Sequence, residues 1–175
     1  MSKVIMFSRY YPTYHPKKGK PTFFAEKLLT QLRVNYFHKD YLEMLISLNE
    51  GKEELCKEFY RSFWDLETDI NQNLPKSHTI RNGFRFKAGE KFSPKIWTAK
   101  PYQSKQLFIY PDIEVKKTWA FEKSRVDGFQ MPQAQATTHA AMIAKNDGLL
   151  LDDFIAWFNK PFIGQIICWN EAVSY

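Results

Sequence analysis

Three polar side chains with complementary chemistry lie close together near the middle of the chain, at Lys76, Thr79 and Arg81. If residues 78–81 form a strand, Thr79 and Arg81 project from the same face, because side chains alternate along a strand. Lys76, just upstream, then leans over that face. An amine, a hydroxyl and a guanidinium in one place are suited to holding an anion or a nucleobase. The spacing therefore predicts a polar binding site.

A second segment, over residues 95–105, interleaves basic and aromatic side chains. Its basic residues are Lys95, Lys100 and Lys105, and its rings are Trp97 and Tyr102. Basic side chains can follow phosphates while aromatic rings stack on bases. The alternative is a surface loop whose tryptophan packs into the core. The pattern fits both interpretations.

Composition indicates one globular domain over residues 1–175. The chain has 175 residues, of which 44% are hydrophobic, and this is enough for a substantial core. Its formal net charge is +6, which favours polyanionic partners electrostatically. Many basic proteins bind no nucleic acid, so the charge alone does not decide the partner.

The hydrophobic pattern changes character along the chain. Residues 3–10 contain a short apolar strand, and residues 22–72 have the apolar spacing of helices. From residue 77 the pattern is typical of strands, with Phe84 and Phe86 alternating with basic residues, and residues 162–169 form a closing strand. We therefore expect an α+β fold in which residues 3–10, 77–121 and 162–169 build one mixed β-barrel and helices cover its outside.

Several protein classes are disfavoured by the sequence. Cys56 and Cys168 are far apart and the four histidines are scattered, so neither a metal site nor a cofactor is expected. No apolar run reaches roughly 18 residues, which predicts no membrane span. The first apolar run, residues 4–7, is too short for a signal peptide. Reduced cysteines would then suit a cytoplasmic protein.

Three motifs resemble the ASCH family of the PUA-like superfamily. The first is Lys76-x-x-Thr79-Ile80-Arg81, followed by a turn at Gly89-Glu90. The second, residues 97–106, is similar to the phage and prophage branch of that family. The third is Asn146-Asp147-Gly148-Leu149 with the apolar segment after it. The resemblance covers roughly residues 74–169 and the first strand.

The resemblance implies a PUA-like barrel with a helical insertion at about 22–72. It also implies a module that binds nucleic acid, RNA above all, or a modified nucleoside or nucleotide. The ligand-binding residues would then be Arg81, Trp97, Lys100, Tyr102 and Lys105.

Some members of the ASCH family are amidohydrolases that remove an acyl group from N4-acylcytidine. Carried over, their catalytic set corresponds to Lys76, Thr79 and Asp147, although the family acid is a glutamate with a longer arm. A neutral lysine amine could take the proton of the Thr79 hydroxyl and make it a nucleophile towards an amide carbonyl. A purely structural or protein-binding role is the third expectation.

Overall fold

The computed structural model describes residues 3–64, 74–123, 129–130 and 138–175. Helices fill the N-terminal part after one strand, and strands dominate from residue 78 onward. In chain order the elements are β1 (Lys3–Phe7), α1 (Phe24–Gln31), α2 (Lys39–Leu48), α3 (Glu53–Arg61), β2 (His78–Asn82), β3 (Lys91–Trp97), β4 (Gln106–Phe108), β5 (Ile113–Glu114), β6 (Lys117–Lys123), β7 (Phe129–Gln130), α4 (Thr138–Asn146), α5 (Leu151–Trp157) and β8 (Phe162–Cys168). The predicted α+β class is confirmed.

The strands form two four-stranded sheets. In the first sheet β1 runs parallel to β3, which pairs antiparallel with both β4 and β5. The second sheet is antiparallel throughout and has the order β2-β8-β6-β7. Among the described strands, β1 pairs only with β3 and β2 only with β8, so each lies at the edge of its sheet.

The two sheets share a core built largely from aromatic rings. Trp169, just after β8, contacts Phe7 of β1 at 6.1 Å and Phe92 of β3 at 5.6 Å between ring centroids. Leu28 of α1 and Leu45 of α2 belong to the same buried apolar cluster. Burying large rings provides much of the apolar area that stabilises such a fold.

The helical part agrees with the predicted apolar spacing. Helix α3 buries Cys56 and Phe59, while Glu53, Glu54 and Lys57 form ion pairs on its outer side. This division between an apolar and a charged face is what anchors a short helix to a core. Within residues 22–72 the described elements are all helical. The predicted helical residues 65–72 lie outside the described part of the chain.

The prediction of a single mixed β-barrel is wrong. Closing a barrel would require a hydrogen-bonded ladder across every pair of neighbouring strands. Neither β1 nor β2 pairs with a second described strand, so the two sheets stay separate. Between the two edges, the Arg81 side chain donates to the backbone oxygen of Met6 at 2.6 Å. A side chain thus bridges the position where a closed barrel would have a ladder.

The predicted alternation over residues 84–87 also differs from the structure. No strand forms between residues 83 and 90, and the Phe84 ring is exposed whereas the Phe86 ring is buried. The Gln165 side chain accepts from the Phe86 amide at 2.8 Å and donates to its carbonyl at 3.0 Å. This amide side chain replaces the strand partner of Phe86, so the segment stays irregular although it is held at one point.

Gly164 of β8 is expected to be sensitive to substitution. A Cβ atom at this position would lie 2.1 Å from the backbone oxygen of Arg81 in β2. Gly164→Ala should therefore force the two strands apart and destabilise the protein by about 1–3 kcal/mol. Denaturation in urea measures this, with Ile163→Ala on the exposed face of the same strand as the control. Equal effects for the two variants would contradict the close approach.

Candidate functional site

Lys76 and Asp147 form a buried ion pair just before β2. The Lys76 Nζ atom donates to the Asp147 Oδ1 atom and to the Asp147 backbone oxygen, each at 2.7 Å. The two residues also form an antiparallel bridge, and the Ser77 amide donates to the Asn146 carbonyl at 2.8 Å. The structure therefore brings together two members of the predicted catalytic set that are far apart in sequence.

A second buried lysine lies beside this pair. The Lys27 Nζ atom of α1 donates to the Gly148 carbonyl at 2.7 Å, and the Lys76 amide donates to the Lys27 carbonyl at 3.4 Å. Both ammonium groups lie against the Phe24 ring, at 3.9 Å for Lys76 and 5.9 Å for Lys27. The ring and the backbone carbonyls help to stabilise the buried positive charge.

Burial changes the protonation of Lys76. Loss of hydration lowers the pKa of Lys76 to about 8, although the negative charge of Asp147 raises it, and Arg81 lowers it further. At a given pH, a larger fraction of Lys76 than of an ordinary lysine therefore carries a neutral amine. A neutral amine is the form that a proton-abstracting role requires.

His78 continues the buried network on the opposite face of β2 from Thr79. The His78 Nε2 atom lies 3.1 Å from the Ile143 carbonyl, which can only accept, so this nitrogen carries the proton. The Nδ1 atom then accepts from the Tyr175 hydroxyl at 3.1 Å, and that hydroxyl accepts from the Asn146 side-chain amide at 2.9 Å. The chain of bonds fixes His78 as a neutral ring.

The predicted catalytic residues are enclosed by protein. Lys76 is 1% exposed, Thr79 is 2% exposed and Asp147 is 5% exposed. In this conformation a substrate does not reach the Lys76 Nζ atom. Catalysis by this set would require the chain around it to open, whereas a structural role requires no movement.

A separate cleft lies between β1, the end of β2 and the segment that joins β3 to β4. Its volume is about 760 Å³. Arg81 lines this cleft, whereas Lys76, Thr79 and Asp147 do not. The predicted site is thus divided between a buried network and an open cleft. The lining includes the basic residues Arg9, Arg81 and Arg85 and the aromatic residues Tyr10, Trp97 and Tyr102.

Arg81 links the two sheets at the floor of the cleft. Its NH1 group donates to the Ile80 carbonyl of β2 at 3.1 Å, and its NH2 group donates to the Met6 carbonyl of β1 at 2.6 Å. The guanidinium also lies 6.0 Å from the centre of the Phe7 ring. Burial lowers the pKa of Arg81 from its usual range, but an arginine remains protonated in proteins. Its charge is therefore fixed in place beside the cleft.

Trp97 and Tyr102 form one wall of the cleft. Their ring centroids are 5.4 Å apart with an angle of 51° between the rings. Tyr102 is 90% exposed and has a φ of 62°, in the left-handed region that residues with a Cβ rarely adopt. Such strain at an exposed ring is often found at functional sites. The predicted ligand residues Lys100 and Lys105 are exposed on the same segment but do not line the cleft.

The cleft is electropositive. Three arginines line it, and its described lining contains no aspartate or glutamate. Among the described residues, no carboxylate lies within 4.0 Å of a guanidinium nitrogen of Arg9, Arg81 or Arg85. Asp147 and Glu26 interact electrostatically with Arg81 and Arg9 without forming ion pairs with them. Positive charge that is not held in an ion pair attracts anions, most strongly at low ionic strength.

Several residues of these sites were not predicted from the sequence. Arg9 and Tyr10 lie within the segment 3–10 that was predicted to contain the first strand, but β1 ends at Phe7 and they belong to the loop after it. Side chains of such loops often form binding surfaces. Arg85 lies in a segment that the alternation had assigned to a strand. Lys27 and Tyr175 have no local pattern that distinguishes them, because their contacts are with distant parts of the chain.

Comparison of the chain with protein-family models, curated protein sequences and solved structures finds no match. Within the described residues, no three histidine, cysteine, aspartate or glutamate side chains are grouped so that they could hold a metal ion. In the same part of the chain, no helix has the length and apolar character needed to cross a membrane.

Removing the charge of Lys76 should destabilise the protein strongly. Lys76→Met keeps most of the side-chain volume but leaves the Asp147 carboxylate buried without its partner, which costs about 3–5 kcal/mol. Lys57→Met on the exposed side of α3 is the matched control and should have a far smaller effect. Urea denaturation measures both. Adding Asp147→Asn to Lys76→Met should recover part of the loss. If Lys76→Met is no more harmful than Lys57→Met, the pair does not stabilise the fold.

His78 should make unfolding pH-dependent in the acid range. Burial lowers the pKa of His78 to about 4 from its ordinary value of 6.5. As the pH falls from 6.5 towards 4, the unfolded chain binds a proton that the folded chain does not, so the free energy of unfolding decreases. Urea denaturation at several pH values gives the slope of the unfolding free energy against pH. This slope should correspond to about one more proton taken up on unfolding in the wild type than in His78→Gln. Identical pH dependences would show that His78 is not a buried neutral ring.

Proposed function

We propose that the protein is an ASCH-type module that binds nucleic acid, RNA above all, or a modified nucleotide, and that the cleft is its binding surface. The observation that carries the proposal is the composition of the cleft. It combines three arginines with exposed aromatic rings and has no acidic residue in its described lining. Phosphates and bases are the ligand groups that this combination suits.

In this proposal the two kinds of side chain have separate tasks. Arg81 and Arg85 neutralise phosphate charge, while a base stacks on Tyr102 with Trp97 behind it. Arg81 is held by two backbone carbonyls, so little of its conformational entropy is left to lose on binding. Lys100 and Lys105 lie outside the cleft lining and contribute by long-range attraction alone.

A PUA-like fold is part of the same proposal. It is supported by the order of the three motifs and by the Arg81 bridge across the gap between the sheets. In this interpretation the two sheets correspond to a barrel opened between β1 and β2. A cytosolic location also belongs to the proposal, since Cys56 and Cys168 are both free and buried.

Binding to a fluorescent single-stranded RNA should depend on the cleft. Arg85→Ala removes an exposed cation and should reduce the slope of log affinity against log salt by about 0.7, the effect of one phosphate contact. Tyr102→Ala should weaken binding by about 1–3 kcal/mol through lost stacking and leave the salt slope unchanged. Fluorescence anisotropy at several salt concentrations measures both effects.

Matched controls are available elsewhere on the surface. Arg61→Ala removes an exposed arginine on α3, and Phe84→Ala removes an exposed ring, both outside the cleft lining. Neither should alter the affinity as its cleft counterpart does. If the control pair weakens binding as much as the cleft pair, or if RNA and free nucleotides do not bind even at low salt, the proposed function is wrong.

Hydrolysis of N4-acylcytidine is the second candidate function. It is favoured by the 2.7 Å contact between Lys76 Nζ and Asp147 Oδ1 and by the pKa of Lys76, which burial lowers to about 8. Thr79 would be the nucleophile and Lys76 its base. The proton would pass from the Thr79 hydroxyl to the amine as the oxygen attacks the amide carbon, and then to the leaving cytosine amine as the C–N bond breaks. Water would then hydrolyse the acyl ester on Thr79, which releases the carboxylic acid and restores the Thr79 hydroxyl.

Release of acetate from N4-acetylcytidine tests this second candidate. Thr79→Val keeps the shape of a β-branched side chain, so it should abolish release with only a modest effect on stability. Asp147→Glu should retain or raise activity, because it restores the longer acid of the resembling family. If the wild-type protein releases no acetate when a positive-control enzyme does, the Lys76–Asp147 pair is structural.

A further inference from the structure

The cleft is bordered by two strand edges that lack a partner strand. On one side lies β1, whose residues 4–7 all line the cleft, and on the other lies the end of β2 with the segment up to Phe86. Among the described strands, each of these edges is unpaired on the side away from its own sheet. An unpaired edge presents backbone N–H and C=O groups that can bond to another extended chain.

The geometry of Arg81 shows which groups of β1 face the cleft. The Met6 carbonyl accepts from Arg81, so it points away from β3. Successive residues of a strand direct their backbone groups to alternate sides, so the groups of Val4 also point away from β3, whereas those of Ile5 point towards it. The edge therefore offers the backbone groups of Val4 and Met6 in the spacing that a paired strand uses.

Side chains hold the two edges together at both ends of the gap. Arg81 reaches from β2 to the Met6 carbonyl at 2.6 Å, and Lys3 reaches from β1 to the Arg85 carbonyl at 2.5 Å. Both bridging groups are cationic, but the Lys3 ammonium also pairs with the Glu90 carboxylate at 2.5 Å. An anionic ligand in the cleft would therefore compete with the Met6 carbonyl for Arg81. A strand that carries carboxylates could thus bond to Arg81 and leave the Met6 carbonyl free for backbone pairing.

We propose that the β1 edge of the cleft accepts an extended, acidic segment of a partner polypeptide as an added strand. The positive charge of the cleft favours an acidic partner, because the described lining contains arginines but no carboxylate. A second copy of this chain is disfavoured at this edge, since the two sets of arginines would face each other. Backbone pairing distinguishes a polypeptide from a nucleic acid, which cannot continue a β-ladder.

A synthetic peptide can test this proposal. The probe is a labelled, end-capped peptide of about eight residues that alternates valine with glutamate, which matches the length and periodicity of a strand. We expect saturable binding below about 1 mM by fluorescence anisotropy. N-methylation of alternate backbone nitrogens keeps the charge but removes the hydrogen bonds, and should weaken binding by more than about tenfold. Replacing glutamate by lysine should abolish binding.

Amide hydrogen exchange gives a second measurement that charge attraction alone would not affect. On binding of the glutamate peptide, exchange of the Val4 and Met6 amides should become slower, because they gain hydrogen-bond partners. Equal affinity of the N-methylated peptide, unchanged exchange at Val4 and Met6, or no peptide binding would each overturn the inference. Slower exchange at these amides with RNA but not with peptide would also overturn it and would assign the edge to nucleic acid. Nucleic-acid binding is measured separately, so failure of the peptide leaves the proposed function unaffected.

Discussion

The ion pair between Lys76 and Asp147 is the interaction on which the arrangement of the chain most depends. An isolated charge in the interior is very unfavourable, so each partner must stay where the other can reach it. Lys76 lies just before β2, and Asp147 follows α4, while Lys27 ties α1 to the adjacent Gly148 carbonyl. Three segments that are distant in sequence are thereby held at one point. Such a pair adds little net stability compared with apolar packing, but it permits few alternative arrangements.

From this ion pair β2 runs towards the cleft. Side chains on successive residues of β2 face opposite sides, so the residues of the predicted polar site are divided between the buried network and the cleft. His78 joins the buried network through Ile143 and Tyr175, whereas Arg81 reaches across to β1. The two regions are electrostatically connected, because the charge of Arg81 lowers the pKa of Lys76. An anion bound at Arg81 would offset that effect and favour the protonated lysine. If an anion binds in the cleft as proposed, its binding and the protonation of the buried amine would be linked, and each would influence the other equally.

The sequence predicted local structure well where one signal dominated. Apolar spacing located the helices of residues 24–61. The order of the three motifs predicted that Lys76 and Asp147 lie close together, as they do in the structure. The closed barrel was wrong because alternation shows that a segment is extended but not which strand it pairs with. Residues 84–87 alternate correctly, yet Gln165 takes the place of a partner strand. Partners such as Lys27 and Tyr175 depend on long-range contacts, which no local pattern encodes.

The same limit explains why the cleft could be predicted only in part. Arg81, Trp97 and Tyr102 were identified by residue type, and all three line it, but Lys100 and Lys105 were included because they are close in sequence. On a short connection between strands, neighbouring side chains point in different directions, so proximity in sequence does not define a surface. The left-handed backbone at Tyr102 turns its ring outward beside Trp97. Backbone conformation, rather than the density of basic residues, thus determines which side chains of this segment can meet a ligand.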